Sequence, residues 1–233
     1  FGCWVCTVVE KDKSMENLID SGEDWMQPLL ELRQDLKDTQ DPEKKLEIRD
    51  FKRRDGKVIF FTDGTEKITP GPYKIEFRKE FLKKLLQAQE QVRKDGPDPT
   101  MSLILEEEIH EIQRIWRVEQ GDWENSVYAI YQEITGVNLS LVKEDLGGFT
   151  EVEQNILDDI CVQNSVPKLL VSKLLNAEFD SQGMTKHSKI YPKLGKILSE
   201  EWRGYDEIET IKKELKDKKK KKIQNEQFSR ETK

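Results

Sequence analysis

With 233 residues, 36% of them charged and 35% hydrophobic, the chain is long enough for one substantial domain or two small ones, and it is polar for a globular protein. Its formal charge of −7 is uneven: the eight lysines between Lys212 and Lys222 face only Glu214 and Asp217, a local +6 that leaves −13 on the rest. An acidic body makes a poor non-specific DNA clamp, because neutralising phosphates takes clustered cations, and the lack of any run of eighteen apolar residues excludes a membrane-spanning helix.

The chain opens on Phe1 rather than Met, and the apolar stretch Phe1 to Val9 has neither a basic flank nor a small-residue cleavage site. A signal peptide is not expected, and the natural N-terminus is expected to lie upstream. Three cysteines, Cys3, Cys6 and Cys161, are an odd number. That argues against a secreted disulfide framework and for a cytoplasmic location.

In chain order, residues 1–13 read as a loop carrying Cys-x-x-Cys. Ser14 is placed to cap a short helix over Met15, Leu18 and Ile19, which Ser21-Gly22 breaks. A second helix is predicted from about Asp24, with Trp25, Leu29, Leu32 and Leu36 on one face and Pro28 in the first turn. After the polar stretch 37–45, the strand formers of 57–62, the turn signal Asp63-Gly64 and the return over 66–69 predict one small β-hairpin near 57–69, ended by Pro70-Gly71-Pro72.

The rest reads as helix. Glu76 to Arg93 carries Phe77, Phe81, Leu85 and Val92 on one stripe, beside Leu82, Leu86 and Gln89, and Asp95-Gly96-Pro97-Asp98-Pro99 stops it. Ser102 to Val118 follows with Leu105, Ile109, Ile112 and Trp116, then a segment from Trp123 to Gly136. The capping box Thr150-x-x-Glu153 opens a helix through Cys161, Pro167 opens the next, and a last one is expected from Ser188 towards Trp202. Each apolar stripe is read as core packing. Past Gly204, pairs such as Glu209/Lys213 suit an exposed helix, and beyond Lys222 disorder is expected.

Gly2-Cys3-Trp4-Val5-Cys6-Thr7 is the sharpest chemical feature. Two thiolates three residues apart on a turn reach one centre together, a spacing that suits zinc, an iron–sulfur cluster or a redox disulfide, or else a buried pair without any ligand. Zinc needs two further ligands, and neither His110 nor His187 lies in a ligand-like cluster. Cys161, beside Ile160 and one turn after Leu157, reads as core. A thioredoxin-like motif needs a βαβ context, which does not surround Cys3.

The string from Phe1 through Met15 resembles the region that follows the catalytic domain in DndC-type proteins of bacterial DNA phosphorothioation. Gly71-Pro72-Tyr73 through Glu76-Phe77-Arg78, Gly96-Pro97-Asp98-Pro99, and Gly121-Asp122-Trp123-Glu124 resemble the same family in the same order, so the likeness runs to about Trp202. The resemblance implies an ATP-dependent sulfurtransferase of the phosphoadenosine phosphosulfate reductase-like superfamily. It implies work with a cysteine desulfurase and other phosphorothioation proteins, and contact with DNA through that complex. It further implies a 4Fe-4S cluster with Cys3 and Cys6 among its ligands and the others upstream. The superfamily's Ser-Gly-Gly-x-Asp-Ser nucleotide loop is absent: the only Gly-Gly, Gly147-Gly148, lacks the flanking serines. This polypeptide alone is therefore expected not to hydrolyse ATP.

The expected architecture is mainly α. It divides into a cysteine segment (1–13), a mostly helical region with the hairpin (14–203) and a charged tail (204–233), packed on an α/β adenine-nucleotide alpha-hydrolase domain outside this sequence. From a different class, the alternative is a non-enzymatic helical interaction module with a structural zinc or no metal. Weaker features weigh less. Glu107-x-x-His110 lacks the second copy a di-iron site needs, since Met184 stands three before His187. The pair 151–161 and 167–178 has helix-turn-helix length, but its second helix offers only Lys168 and Lys173 as cations. Lys52-Arg53-Arg54, and Arg78, Lys79, Lys83 and Lys84, are patches suited to phosphate or to plain solvation. Trp4 and Trp25 suit either a dry shell over a cluster or core packing.

Overall fold

A computed structural model describes residues 5–61, 67–139, 151–179, 181, 190–199, 208–214 and 217. The architecture is mainly α. Contacts divide the chain into two units, residues 1–50 with 73–199, and residues 51–72 with 200–233.

In the first unit, α1 (Lys13–Asp20) starts at Asp12, whose side chain accepts from the Met15 N–H at 3.1 Å. The expected Ser14 cap is thus displaced by two residues. Both side chains can cap, but a cap at Asp12 leaves Met15 inside the first turn, where it is buried at 5% exposure. A single 3-10 turn (Asp24–Met26) leads into α2 (Gln27–Asp38), with Pro28 in its first turn, and α3 (Lys45–Ile48) is one short turn. Next come α4 (Ile75–Asp95), α5 (Glu106–Gln120), α6 (Ser126–Thr135), α7 (Glu151–Gln163), α8 (Lys168–Phe179) and α9 (Ile190–Ser199).

Helix α4 is the spine. Its Leu82 and Leu86 join Ile104, Ile109, Trp116, Val127 and Tyr128 in the larger core. One and a half turns further on, Val92 joins Met15, Met26 and Leu29 in the smaller one. Leu86, Val92, Ile109 and Val127 are wholly buried, and each contributes about 1.5–3 kcal/mol of transfer free energy. The more prominent Phe77 and Phe81 are only half-buried. They stack at the edge, Phe81 on Phe77 (6.1 Å) and Phe77 on Tyr73 (5.0 Å).

Buried polar side chains fix how these helices meet. The Gln89 Oε1 on α4 accepts the N–H groups of Leu103 and Ile104 at 2.8 and 3.0 Å, so the α4–α5 link is hydrogen-bonded to α4. On α5, the Gln113 Oε1 accepts from Val127 N–H (3.1 Å) while its Nε2 donates to Asp122 (3.3 Å). Asp122 in turn accepts from the Ser126 N–H (3.0 Å) and hydroxyl (2.6 Å). Arg117 donates to Asn125 and to Gln154 of α7, and its carbonyl accepts from the Ser172 hydroxyl of α8.

Glycine is required at two joints. Gly121 ends α5 at φ +66°, the left-handed conformation that frees the chain to enter α6. A Cβ at Gly96 would lie 2.5 Å from the Val92 carbonyl oxygen and 3.2 Å from the Trp25 ring, so the end of α4 has no room for a side chain there.

Helix α7 departs from the expectation that apolar stripes are core. It turns Gln154 and Cys161 inward, whereas Val152, Ile156 and Ile160, four residues apart, stand outward at 67%, 54% and 48% exposure. Its Thr150 cap lies outside the described residues.

In the second unit, Phe60 and Ile68 form an antiparallel bridge, flanked by Phe61 N–H to Lys67 O (2.8 Å) and Thr69 N–H to Ile59 O (2.7 Å). No regular strand occurs among the described residues, and the Asp63-Gly64 turn lies outside them. Val58 and Ile68 are buried with Ile208 and Ile211, so the helical run 208–214 carries an apolar edge instead of being wholly exposed. Its ion pair joins Glu209 to Lys212 (2.6 Å), one residue before the expected Lys213.

Candidate metal centre

Of the two predicted ligands, Cys6 is half-buried and free, while Cys3 and Trp4 lie outside the described residues. Val5, Val8 and Val9 around Cys6 stand outward at 40%, 89% and 53% exposure, so side-chain burial does not hold this segment in place. Its backbone is held instead.

Three residues of α2 and its end do the holding. Arg33 Nη2 donates to the Val9 carbonyl at 2.6 Å and Nη1 to the Glu10 carbonyl at 3.4 Å. Lys37 Nζ donates to the Thr7 carbonyl at 3.3 Å, and Gln40 Nε2 to the Thr7 hydroxyl at 2.6 Å. Positions 33, 37 and 40 share one helical face, so that face runs along residues 7–10 and ends next to Cys6. Sequence reasoning passed over these residues because an Arg and a Lys in a charged amphipathic helix look like solvated surface. The available signal was their i, i+4 spacing, with Arg33 itself one turn after the apolar Leu29.

Arg33 is the unusual member. It is 1% exposed, its Nε is buried with no hydrogen-bond partner, and among the described residues no carboxylate lies within 4.0 Å of its guanidinium. Carbonyl oxygens satisfy N–H groups without neutralising the charge, and a buried ion is costly unless it is both hydrogen-bonded and matched by opposite charge. Two cations, Arg33 and Lys37, therefore lie along residues 7–10. Helix α2 is itself anchored by Thr39, whose hydroxyl meets Tyr73 at 2.8 Å, while the Arg49 guanidinium lies 4.0 Å over the Tyr73 ring.

No family model, curated protein or solved structure matches this chain.

The remaining candidates separate cleanly. Among the described residues, no three of His, Cys, Asp and Glu come together as a metal site. Cys161 is buried in α7 at 3% exposure, the core position expected for it. His110 Nδ1 meets the Tyr128 hydroxyl at 2.7 Å with the rings edge to face, and its Nε2 is 3.9 Å from Glu106 rather than Glu107. It thus joins α5 to α6, and His187 lies outside the described residues. Trp25 donates its indole N–H to Glu23 (2.6 Å) and packs with Met15, Met26, Leu29 and Val92, which makes it core.

The three lysines of the second basic patch each face a carboxylate. Lys83 pairs with Glu133 at 2.5 Å, Lys84 with Asp35 at 2.6 Å, and Lys79 approaches Asp122 at 3.9 Å. The bond to Glu133 holds the Lys83 ammonium above its ordinary pKa. In the first patch Arg53 donates to the Pro70 carbonyl at 3.1 Å. In the helix pair α7–α8, Lys168 pairs with Asp158 (2.8 Å) and lies 5.3 Å from the Trp123 ring, and Ser172 is buried against α5.

Proposed function

We propose that this chain is the cluster-bearing part of an ATP-dependent sulfurtransferase acting in DNA backbone phosphorothioation, with Cys3 and Cys6 as two ligands of a 4Fe-4S cluster. The observation that carries the reading is the cationic face of α2 laid along the segment that leaves Cys6, with Arg33 buried and, among the described residues, no carboxylate within 4.0 Å of it. The resemblance of Phe1–Met15 and three later strings to DndC-type proteins supplies the reaction class. When bound, such a cluster supplies one-electron chemistry at a potential set by nearby charge and solvent.

The chain's own residues do three things in this reading. The carbonyls of residues 7–10, gripped by Arg33, Lys37 and Gln40, give the cysteine loop a fixed exit direction. Arg33 and Lys37 bring two unit positive charges to the segment that leaves Cys6. Helix α2 links that loop to the core through Leu29 and Leu32. Further ligands, the nucleotide loop, the cysteine desulfurase and the DNA all lie outside these 233 residues.

The test is complementation in cells that modify their DNA. Replacing the gene with a Cys3→Ala, Cys6→Ala version should abolish phosphorothioate dinucleotides in digested DNA, with the protein still present at normal abundance. Undiminished modification would overturn the assignment. Stoichiometric zinc without sulfide in the purified protein would favour the non-enzymatic helical module.

A further inference from the structure

We infer that the outward face of α7 is a docking surface for a cationic amphipathic helix of a partner protein, a role that does not depend on the metal centre. Helix α7 is amphipathic in the inverted sense. Gln154 and Cys161, 5% and 3% exposed, are turned inward, and Gln154 accepts from Arg117 of α5. Val152, Ile156 and Ile160 follow one another at four-residue steps, at 67%, 54% and 48% exposure. Their stripe is centred about 150° round the helix from the Gln154–Cys161 side. Single exposed apolar side chains are ordinary. Three in register over two turns make a ridge about 12 Å long, of the i, i+4 kind that packs into the groove of a second helix.

The charge beside the ridge selects its occupant. Helix α7 holds four acids, Glu151, Glu153, Asp158 and Asp159, and neither Lys nor Arg. Glu153 and Asp159 are exposed and border the ridge on either side. Pairing two copies through this face sets acid against acid. In an antiparallel pair centred on Ile156, Glu153 of each copy faces Asp159 of the other, and like charges across a contact repel. Helices that lie on anionic lipid carry Lys and Arg on their polar face, and a phosphate backbone needs cations too, so an all-acid helix suits neither. A helix with an apolar stripe flanked by Lys or Arg complements both the ridge and its borders.

The test uses the complete protein and three synthetic peptides of about 18 residues, long enough for five helical turns. One carries a Leu stripe flanked by Lys, the second the same stripe flanked by Glu, and the third keeps the Lys but has Gln in place of Leu. Binding is followed by fluorescence anisotropy, and amide hydrogen exchange over residues 151–163 locates it.

The Leu/Lys peptide should bind and slow exchange over 151–163, and the other two should bind at least about tenfold more weakly. Ile156→Gln should weaken the Leu/Lys peptide about tenfold, as for one apolar side chain withdrawn from a contact. The double variant Glu153→Lys, Asp159→Lys should reverse the preference, so that the Leu/Glu peptide becomes the tighter ligand. If Ile156→Gln fails to fold, that reversal still carries the comparison. Absence of binding, equal binding of the two Leu peptides, or binding indifferent to both variants would overturn the inference. So would a dimer of the protein alone, or pelleting with phosphatidylglycerol vesicles, that Ile156→Gln abolishes, since the face would then belong to a second copy or to a membrane.

Discussion

Between α5 and α6, Asp122, Gln113 and Ser126 close on one another, so that the Asp122 carboxylate accepts three hydrogen bonds and lies 3.9 Å from the Lys79 ammonium. On α2, Arg33 is buried too, yet among the described residues its guanidinium meets only carbonyls. The two regions use the same physical device with different completeness. A closed polar network is architecture: it specifies which helix faces meet, and it asks for nothing else. An open one leaves a charge to be matched, and in this molecule the open one adjoins the cysteine segment.

The comparison is broken most directly at its closed end. Asp122→Ala strips the acceptor from the Ser126 N–H and hydroxyl and from the Gln113 amide. It should cost about 4 kcal/mol in urea unfolding, since buried donors would be left without partners. A loss under about 1 kcal/mol would show that the network is not closed as described. Leu86→Ala, at a wholly buried site with no polar role, should cost about 3 kcal/mol through the cavity it leaves, which sets the apolar scale against which the network is judged.

These two sites also mark how far the sequence could be read. The helices follow from apolar spacing and from the Gly and Pro stops, and the mainly α architecture with them. The strings that resemble the sulfurtransferase family sit at joints: Gly96 under Trp25, Gly121 turning α5 into α6, Asp122 receiving Ser126, Tyr73 bonded to Thr39. Their residue types are demanded by backbone geometry and burial, which is why they stand out. Which stripe of a helix is core was less legible. Phe77 and Phe81 outweigh Leu82 and Leu86 in size, but burial is decided by the neighbours that α5 and α6 supply. The grip on residues 7–10 was scarcely legible, because it joins side chains to carbonyls up to 30 positions away and leaves only the i, i+4 spacing of Arg33 and Lys37 as a trace.

Smaller changes sharpen the same contrast at the surface. Lys84→Ala breaks an exposed pair with Asp35 and should cost about 0.5 kcal/mol, falling further in high salt. Ile156→Gln, on the outward stripe of α7, should change stability by less than about 0.5 kcal/mol; a loss of the size expected for Leu86→Ala would mean that the stripe is covered. The mildest effect concerns acid. The Thr100 hydroxyl and N–H hold the Asp98 carboxyl below its ordinary 3.8. A lowered folded value adds stability that is complete above the unfolded value and is lost as pH falls through the folded one. The small stability gap between wild type and Asp98→Ala should therefore be constant from about pH 7 to 5 and close below about pH 4, as followed by thermal unfolding.

Quantifying iron and acid-labile sulfide in the complete protein, prepared without oxygen, addresses the metal centre itself. The account predicts about four of each per chain in the wild type, the composition of one cubane cluster, and their loss in the Cys3→Ala, Cys6→Ala variant. Full iron and sulfide in that variant would contradict it.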